Sequence, residues 1–183
     1  MKKEKEMMRE DQIKVMIDQE TLEKKIAELG KVISRDYEGK EIVMICILKG
    51  GAMFMMQLAK SITVPVMIDF MVLSSYGNEL ISSGEVKIKK DLDDNIEGKH
   101  VLIVEDIVDT GRTLSFLSTY LVKKGAASVQ IATMLDKPAR RVVPVNVKYS
   151  CFEIADEFVV GYGLDYGQKY RNLPYVGYVE QED

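Results

Sequence analysis

Glu105 and Asp106 stand side by side at the end of an apolar run, Val101-Leu102-Ile103-Val104, and lead into Ile107-Val108-Asp109-Thr110-Gly111-Arg112-Thr113. The apolar run reads as a buried parallel strand. Open α/β sheets place their ligands at the carboxyl end of such strands. Residues 114–122 are amphipathic and read as a helix, so residues 109–113 form a loop opening into a helix N-terminus. Free backbone N–H groups and the positive dipole end hold a phosphate there. Gly111 permits close backbone approach, and Thr110 and Thr113 add hydroxyl donors. Acids for hydroxyls or a metal thus adjoin an anion nest, which makes a site for a phosphorylated sugar. An ordinary strand end with a Thr-Gly-x-Thr cap fits the same spacing, and the residues alone leave both readings open.

The remaining residue types narrow the chemistry. His100 is the single histidine. It has no second histidine with which to bind a metal, and a strand-start or surface role suits it. Acid–base work therefore falls to carboxylates or lysines, and a carboxylate-rich site suits magnesium. Cys46 and Cys151 read as reduced, packed thiols rather than a disulfide. A net charge of -4 argues against a general nucleic-acid binder. No apolar run reaches the length of a membrane span, and Met1-Lys2-Lys3-Glu4-Lys5-Glu6 leads into no signal-peptide core. These features point to a cytoplasmic protein without membrane attachment.

The elements that must position these groups alternate. Residues 1 to about 11 are charged and expected to fray. Ile13, Val15 and Ile17 make a short strand. Leu22, Ile26, Leu29 and Ile33 lie at helical spacing behind Asp18 as N-cap. A buried strand at 42–48 precedes a helix at 52–61, whose Met53, Met55 and Met56 read as core. Strands follow at 66–73 and 86–89, separated by a long loop from Ser74 to about Gly84, and long loops are commonly functional. After the acid-bearing strand and its helix come a strand at 129–135, a connection bearing proline and arginine, and strand-like stretches near Phe158 and Tyr175. Strands alternating with helices predict a mainly parallel sheet with helices on both faces.

Glu105-Asp106 with the following Ile-Val-Asp-Thr-Gly-Arg-Thr resembles the phosphoribosyl-pyrophosphate signature of the type I phosphoribosyltransferases. Leu48-Lys49-Gly50-Gly51, Ser75-Tyr76-Gly77-Asn78, Asp136-Lys137-Pro138 and Phe158-Val159-Val160-Gly161-Tyr162-Gly163-Leu164-Asp165-Tyr166 resemble its hypoxanthine-guanine branch in a bacterial-like form. The likeness runs from about Ile13 to the C-terminus. It implies the type I phosphoribosyltransferase fold as a single domain over residues 1–183. That fold is an α/β, mainly parallel twisted sheet flanked by helices, with a small hood lobe over the strand ends. The implied activity is purine salvage, in which phosphoribosyl pyrophosphate and hypoxanthine or guanine give IMP or GMP plus pyrophosphate. A xanthine-preferring enzyme and an RNA-binding regulator on the same fold are the alternatives.

The resemblance also assigns residues. Glu105 and Asp106 would hold the ribose hydroxyls directly or through magnesium, with Asp165 completing a second magnesium site. The stretch Asp109, Thr110, Gly111, Arg112 and Thr113 would hold the 5-phosphate. Asp109 is the candidate proton acceptor, with a helix N-cap as its other reading. Lys49, Gly50 and Arg171 would meet pyrophosphate, and the Leu48–Lys49 peptide can be cis. Lys137 would donate to the purine 6-oxygen, which suits 6-oxopurine bases because an ammonium has donors only. Phe158 would lie on the purine face, with backbone carbonyls near Val159 and Asp165 accepting from the base. Ser75 and Tyr76 would close over the reactants. Arg112 and Ala155 depart from the lysine and proline of relatives without touching a chemical role. Family members commonly form homodimers or homotetramers, and the same is expected here.

Overall fold

A computed structural model of the protein describes residues 13–75 and 86–179. The expected fraying at the start of the chain and Tyr76 lie outside them, as does the 74–84 loop beyond Ser75.

Alternation along two buried strands decides the layers. In β2 (Ile42–Ile47), Ile42, Met44 and Cys46 face one side of the sheet, and Val43, Ile45 and Ile47 the other. In β5 (His100–Val108), Leu102 and Val104 join the first side, and Val101 and Ile103 the second. The first side is covered by α1 (Gln19–Asp36) and α2 (Ala52–Ser61) through Leu22, Ile26, Ile33, Phe54, Met55 and Leu58. The second is covered by α3 (Arg112–Lys123) through Leu114, Leu117 and Leu121. Asp18 caps α1 as expected, its Oδ1 accepting from the Thr21 N–H at 2.9 Å.

Four further strands complete the main sheet: β3 (Val66–Ser75), β4 (Val86–Lys90), β6 (Ser128–Asp136) and β7 (Tyr149–Glu153). Their order is β4-β3-β2-β5-β6-β7, parallel throughout except for β4. The chain leaves β2 through α2 for β3, then returns to the opposite flank of β2 as β5 and continues outward through α3 to β6. That reversal opens a crevice at the carboxyl ends of β2 and β5. A second, antiparallel sheet joins β1 (Ile13–Ile17), β9 (Val176–Val179) and β8 (Val159–Val160) in the order β1-β9-β8. Built from chain distant in sequence at both ends, it is the expected hood lobe.

The structure departs from the sequence reading in three places. The acid-bearing strand does not stop at Val104: β5 continues to Val108, because Glu105, Ile107 and Val108 keep pairing with Thr133, Leu135 and Asp136 of β6. β7 falls in what reads as connection. Of the three α2 methionines only Met55 is core, since Met53 and Met56 are 37% and 40% exposed on the solvent face. Among the described residues, no helix is long and apolar enough to cross a membrane.

Cys46 and Cys151 are free and buried. Burial pushes both thiols up to about 12, and the carboxylates of Glu105 and Asp106 add to the rise at Cys46. Since the thiolate is the reactive form, both thiols should stay inert to Ellman's reagent at about pH 8 in the folded protein and react only on unfolding. Rapid labelling of the native protein would contradict their packed placement.

Candidate active site

β5 carries both acids to the crevice. Glu105 lines a cavity at the start of α3. Asp106 lies against the turn that leads into α2. On the α3 side a cavity of about 100 Å3 runs from Glu105 past Asp109, Thr110 and Gly111 to Thr113. Gly111 is the N-cap of α3 at φ 81°, a backbone region that disfavours a Cβ, and it offers no side-chain cap. Gly111 therefore consumes none of the first-turn N–H groups of α3, although that of Arg112 lies 3.5 Å from Thr110 Oγ1. This removes the N-cap reading of Asp109, whose Oδ1 instead accepts from Arg140 Nε at 3.2 Å. Arg112 parts from its neighbours. Its side chain lines a separate cavity of about 420 Å3 on the outer flank of α3, with Phe116, Tyr120 and Lys123.

Across the crevice, the 48–51 turn, with a cis Leu48–Lys49 peptide, meets Asp106 and the hood lobe. A Cβ on Gly50 would fall 1.7 Å from Asp106 Oδ2, and one on Gly163 would fall 2.1 Å from the Gly50 carbonyl oxygen. Backbone and carboxylate thus touch where any side chain would intrude. Arg171 donates to the Gly163 carbonyl at 2.6 Å and pairs with Asp165 Oδ1 at 2.7 Å. Asp165 Oδ2 accepts from the Gln168 N–H at 2.7 Å, and Gln168 Oε1 accepts from Lys49 Nζ at 3.0 Å. Lys49, Gln168, Asp165 and Arg171 form one chain of contacts over the end of β2.

Beyond β6, Lys137 is buried, with Nζ donating to the Glu157 carbonyl at 2.5 Å and lying 3.8 Å from Asp156 Oδ1. Phe158 is 49% exposed, which excludes a core role, and its ring meets Tyr166 edge-on at 5.6 Å. Val159 is buried in β8. Ser75 ends β3.

The acid pair is electrostatically unsettled. Burial, then repulsion from Asp106, pushes the Glu105 carboxyl well above the ordinary carboxylate range. Burial also raises Asp106, against the pull of the Ile107 N–H at 2.7 Å and of Arg171. Glu105 Oε2 is shielded from solvent and has no hydrogen-bond partner. A hard divalent cation fits such donors. Among the described residues no three acidic, cysteine or histidine side chains converge as a closed metal site. A cation here would complete its shell from substrate and water, as magnesium does.

Gln168, Arg140 and Asp156 join the site without a sequence signal that singles them out. Arg140 and Arg141 stand in the proline- and arginine-bearing connection beside Lys137, where the paired arginines were the one visible hint.

The family described as "Phosphoribosyl transferase domain" matches residues 15–167. A hypoxanthine-guanine phosphoribosyltransferase of Streptococcus thermophilus is 49% identical over 176 residues, spanning 96% of this chain and 98% of that one. The crystal structure of a Staphylococcus aureus hypoxanthine phosphoribosyltransferase superposes with a TM-score of 0.89 at 47% identity, covering 93% of each chain. A Bacillus anthracis hypoxanthine-guanine phosphoribosyltransferase, with a HEPES molecule in its active site, gives a TM-score of 0.88 at 46% identity over 91% of this chain and 98% of that one.

Gly50→Ala tests the contact at the crevice. The added methyl must displace Asp106 or the hood loop, so the variant should lose about 1–3 kcal/mol of stability in denaturant unfolding, the usual cost of overpacking. A variant as stable as the parent would show that Asp106 swings clear.

Proposed function

This chain belongs to the phosphoribosyl transferase family, and on that premise we propose that it serves purine salvage, transferring the phosphoribosyl group of phosphoribosyl pyrophosphate to hypoxanthine or guanine. The products are IMP or GMP and pyrophosphate. The observation that carries the reading is the convergence of three different binding chemistries at the ends of neighbouring strands. The acid pair and phosphate loop end β5, a lysine with only donors to offer follows β6, and the cation-bearing turn follows β2.

Bond breaking at the anomeric carbon leaves positive charge on the ribose ring and negative charge on pyrophosphate, so catalysis rests on positioning and preorganised electrostatics. In the proposed assignment the 5-phosphate sits on the backbone N–H groups of the 110–113 loop and the hydroxyls of Thr110 and Thr113. Glu105 and Asp106 hold the ribose hydroxyls, and their charge favours the cationic ring. Lys49, the Gly50 backbone and Arg171 receive the pyrophosphate. The Arg171 guanidinium presents paired donors to paired phosphate oxygens. Asp109 accepts the proton that the purine loses. Magnesium, held through Glu105, Asp106 and Asp165, would neutralise charge on the diphosphate. Ser75 and Tyr76 are assigned to closure over the reactants, which excludes water. The working unit is taken to be a homodimer or homotetramer, a state that light scattering reads directly.

Base choice rests on Lys137. One of its three N–H groups is engaged by the Glu157 carbonyl, which fixes the ammonium and leaves donors for a 6-carbonyl. Adenine presents an amino group there, and donor would face donor. Phe158, exposed and braced by Tyr166, is offered to the purine face. Backbone carbonyls near Val159 and Asp165 accept from the ring N–H and the 2-amino group.

Two measurements test these assignments. Lys137→Gln should cut kcat/KM for hypoxanthine and guanine by roughly tenfold to a hundredfold, the loss of a charge-assisted hydrogen bond. It should also narrow the preference over adenine, because the amide oxygen can accept. An unchanged hypoxanthine-to-adenine ratio removes Lys137 from base reading. Asp165→Ala should raise the magnesium concentration needed for half-maximal rate and weaken pyrophosphate binding. An unmoved magnesium titration would withdraw Asp165 as a ligand.

A further inference from the structure

Arg140 joins the two ends of the site. Its Nε donates to Asp109 Oδ1 at 3.2 Å, and its Nη1 donates to Asp156 Oδ2 at 3.4 Å. The other oxygen of Asp156 lies 3.8 Å from Lys137 Nζ. A single guanidinium therefore links the candidate proton acceptor on the phosphate loop to the neighbourhood of the base-reading lysine.

The segment around Arg140 is built to hold it. The Arg140 N–H donates to the Lys137 carbonyl at 3.1 Å, closing a single 3-10 turn at Pro138–Arg140. The N–H groups of Val142 and Val143 both donate to the Thr110 carbonyl at 3.0 Å, and the Val143 carbonyl packs on Gly111. Arg141 pairs with Asp136 at the end of β6. The 137–143 strap thus lies against the back of the phosphate loop, fixed at both ends.

The Arg140–Asp109 pair itself is half exposed, with side-chain accessibilities of 50% and 43%. Pairs so placed contribute little to stability because solvent screens them. What such a contact does provide is direction. The guanidinium is planar and its nitrogens are fixed relative to one another, so anchoring one on Asp156 sets where the other holds Asp109. Arg140 engages the carboxylate through Oδ1 alone.

We propose that Arg140 is a positioning residue for the reaction: it aims the Asp109 carboxylate at the purine and ties that aim to the base-binding segment through Asp156. The inference rests on the reading of Asp109 as proton acceptor, and a double-mutant cycle separates the two. Initial rates with hypoxanthine, phosphoribosyl pyrophosphate and magnesium are measured for the parent, Arg140→Gln, Asp109→Asn and the double variant. Asp109→Asn alone should lower kcat about a hundredfold to ten-thousandfold. Arg140→Gln should lower kcat about tenfold to a hundredfold, the cost of a misaimed group, with both KM values held within about twofold. In the Asp109→Asn background the same substitution should change kcat by less than about twofold, because the group it aims is gone. Arg140→Lys should recover part of the rate, since a point charge reaches one carboxylate but not both. An equal loss of kcat in both backgrounds overturns the positioning role while leaving Asp109 in place. So does a loss confined to KM, or no loss at all. Near-parent turnover of Asp109→Asn overturns the reading of Asp109 and, with it, the role of Arg140.

Discussion

The site depends on one close approach. At residue 50 the backbone passes so near Asp106 and the Gly163 loop that no side chain fits between them. Three parts of the chain that are far apart in sequence meet at that point: the end of β2, the end of β5 and the hood lobe between β8 and β9. Were residue 50 any larger, Asp106 would be pushed back or the lobe held off. Arg171, bonded to the Gly163 carbonyl, would then move with it. The contact therefore sets the spacing between the acids proposed for the sugar and the cations proposed for the diphosphate. A glycine is chosen here for the volume it lacks, whereas at residue 111 the positive φ makes the choice.

The electrostatics follow from the same crowding. Packing Glu105 and Asp106 into adjacent strand positions removes water from both, and their charges oppose each other. A chain selected only for stability would place apolar residues here, as it does at Val101–Val104. Unrelieved buried charge is retained where function uses it, and a carboxylate pair with an unpartnered oxygen is prepared to receive positive charge. The Arg171 guanidinium supplies part of that charge from across the crevice.

Much of this was legible because the chemistry is carried by contiguous segments. The phosphate loop, the acid pair and the Lys49 turn each lie within a few residues, flanked by apolar runs that announce their strands. What escaped is non-local. Lys49 and Gln168 are 119 positions apart, and Arg140 and Asp109 are 31 apart, so no window of sequence holds both partners. β5 runs on through Glu105 and Asp106 because the ladder with β6 holds it, and two acids in a row conceal that from any local pattern. β7 is five residues of mixed polarity, Tyr149-Ser150-Cys151-Phe152-Glu153, and becomes a strand by pairing with β6. An N-cap was open as the other reading of Asp109 because capping propensity favours Asp, while the φ at Gly111 is a property of the folded turn.

The pairing of β1 with β9 has a consequence for the order in which the protein is made. During synthesis β1 leaves the ribosome before the described strands of the main sheet, and its partner leaves after them. The sheet from β2 to β7 can assemble while β1 waits, since domains acquire structure as their chain emerges. The hood closes only when β9 arrives, and the Asp165–Arg171 stretch is held between β8 and that last strand. A chain that stops short of β9 thus has the 109–113 loop without a fixed Asp165–Arg171 stretch. The hood and the contacts it makes with residue 50 therefore take shape only after the main sheet has been made.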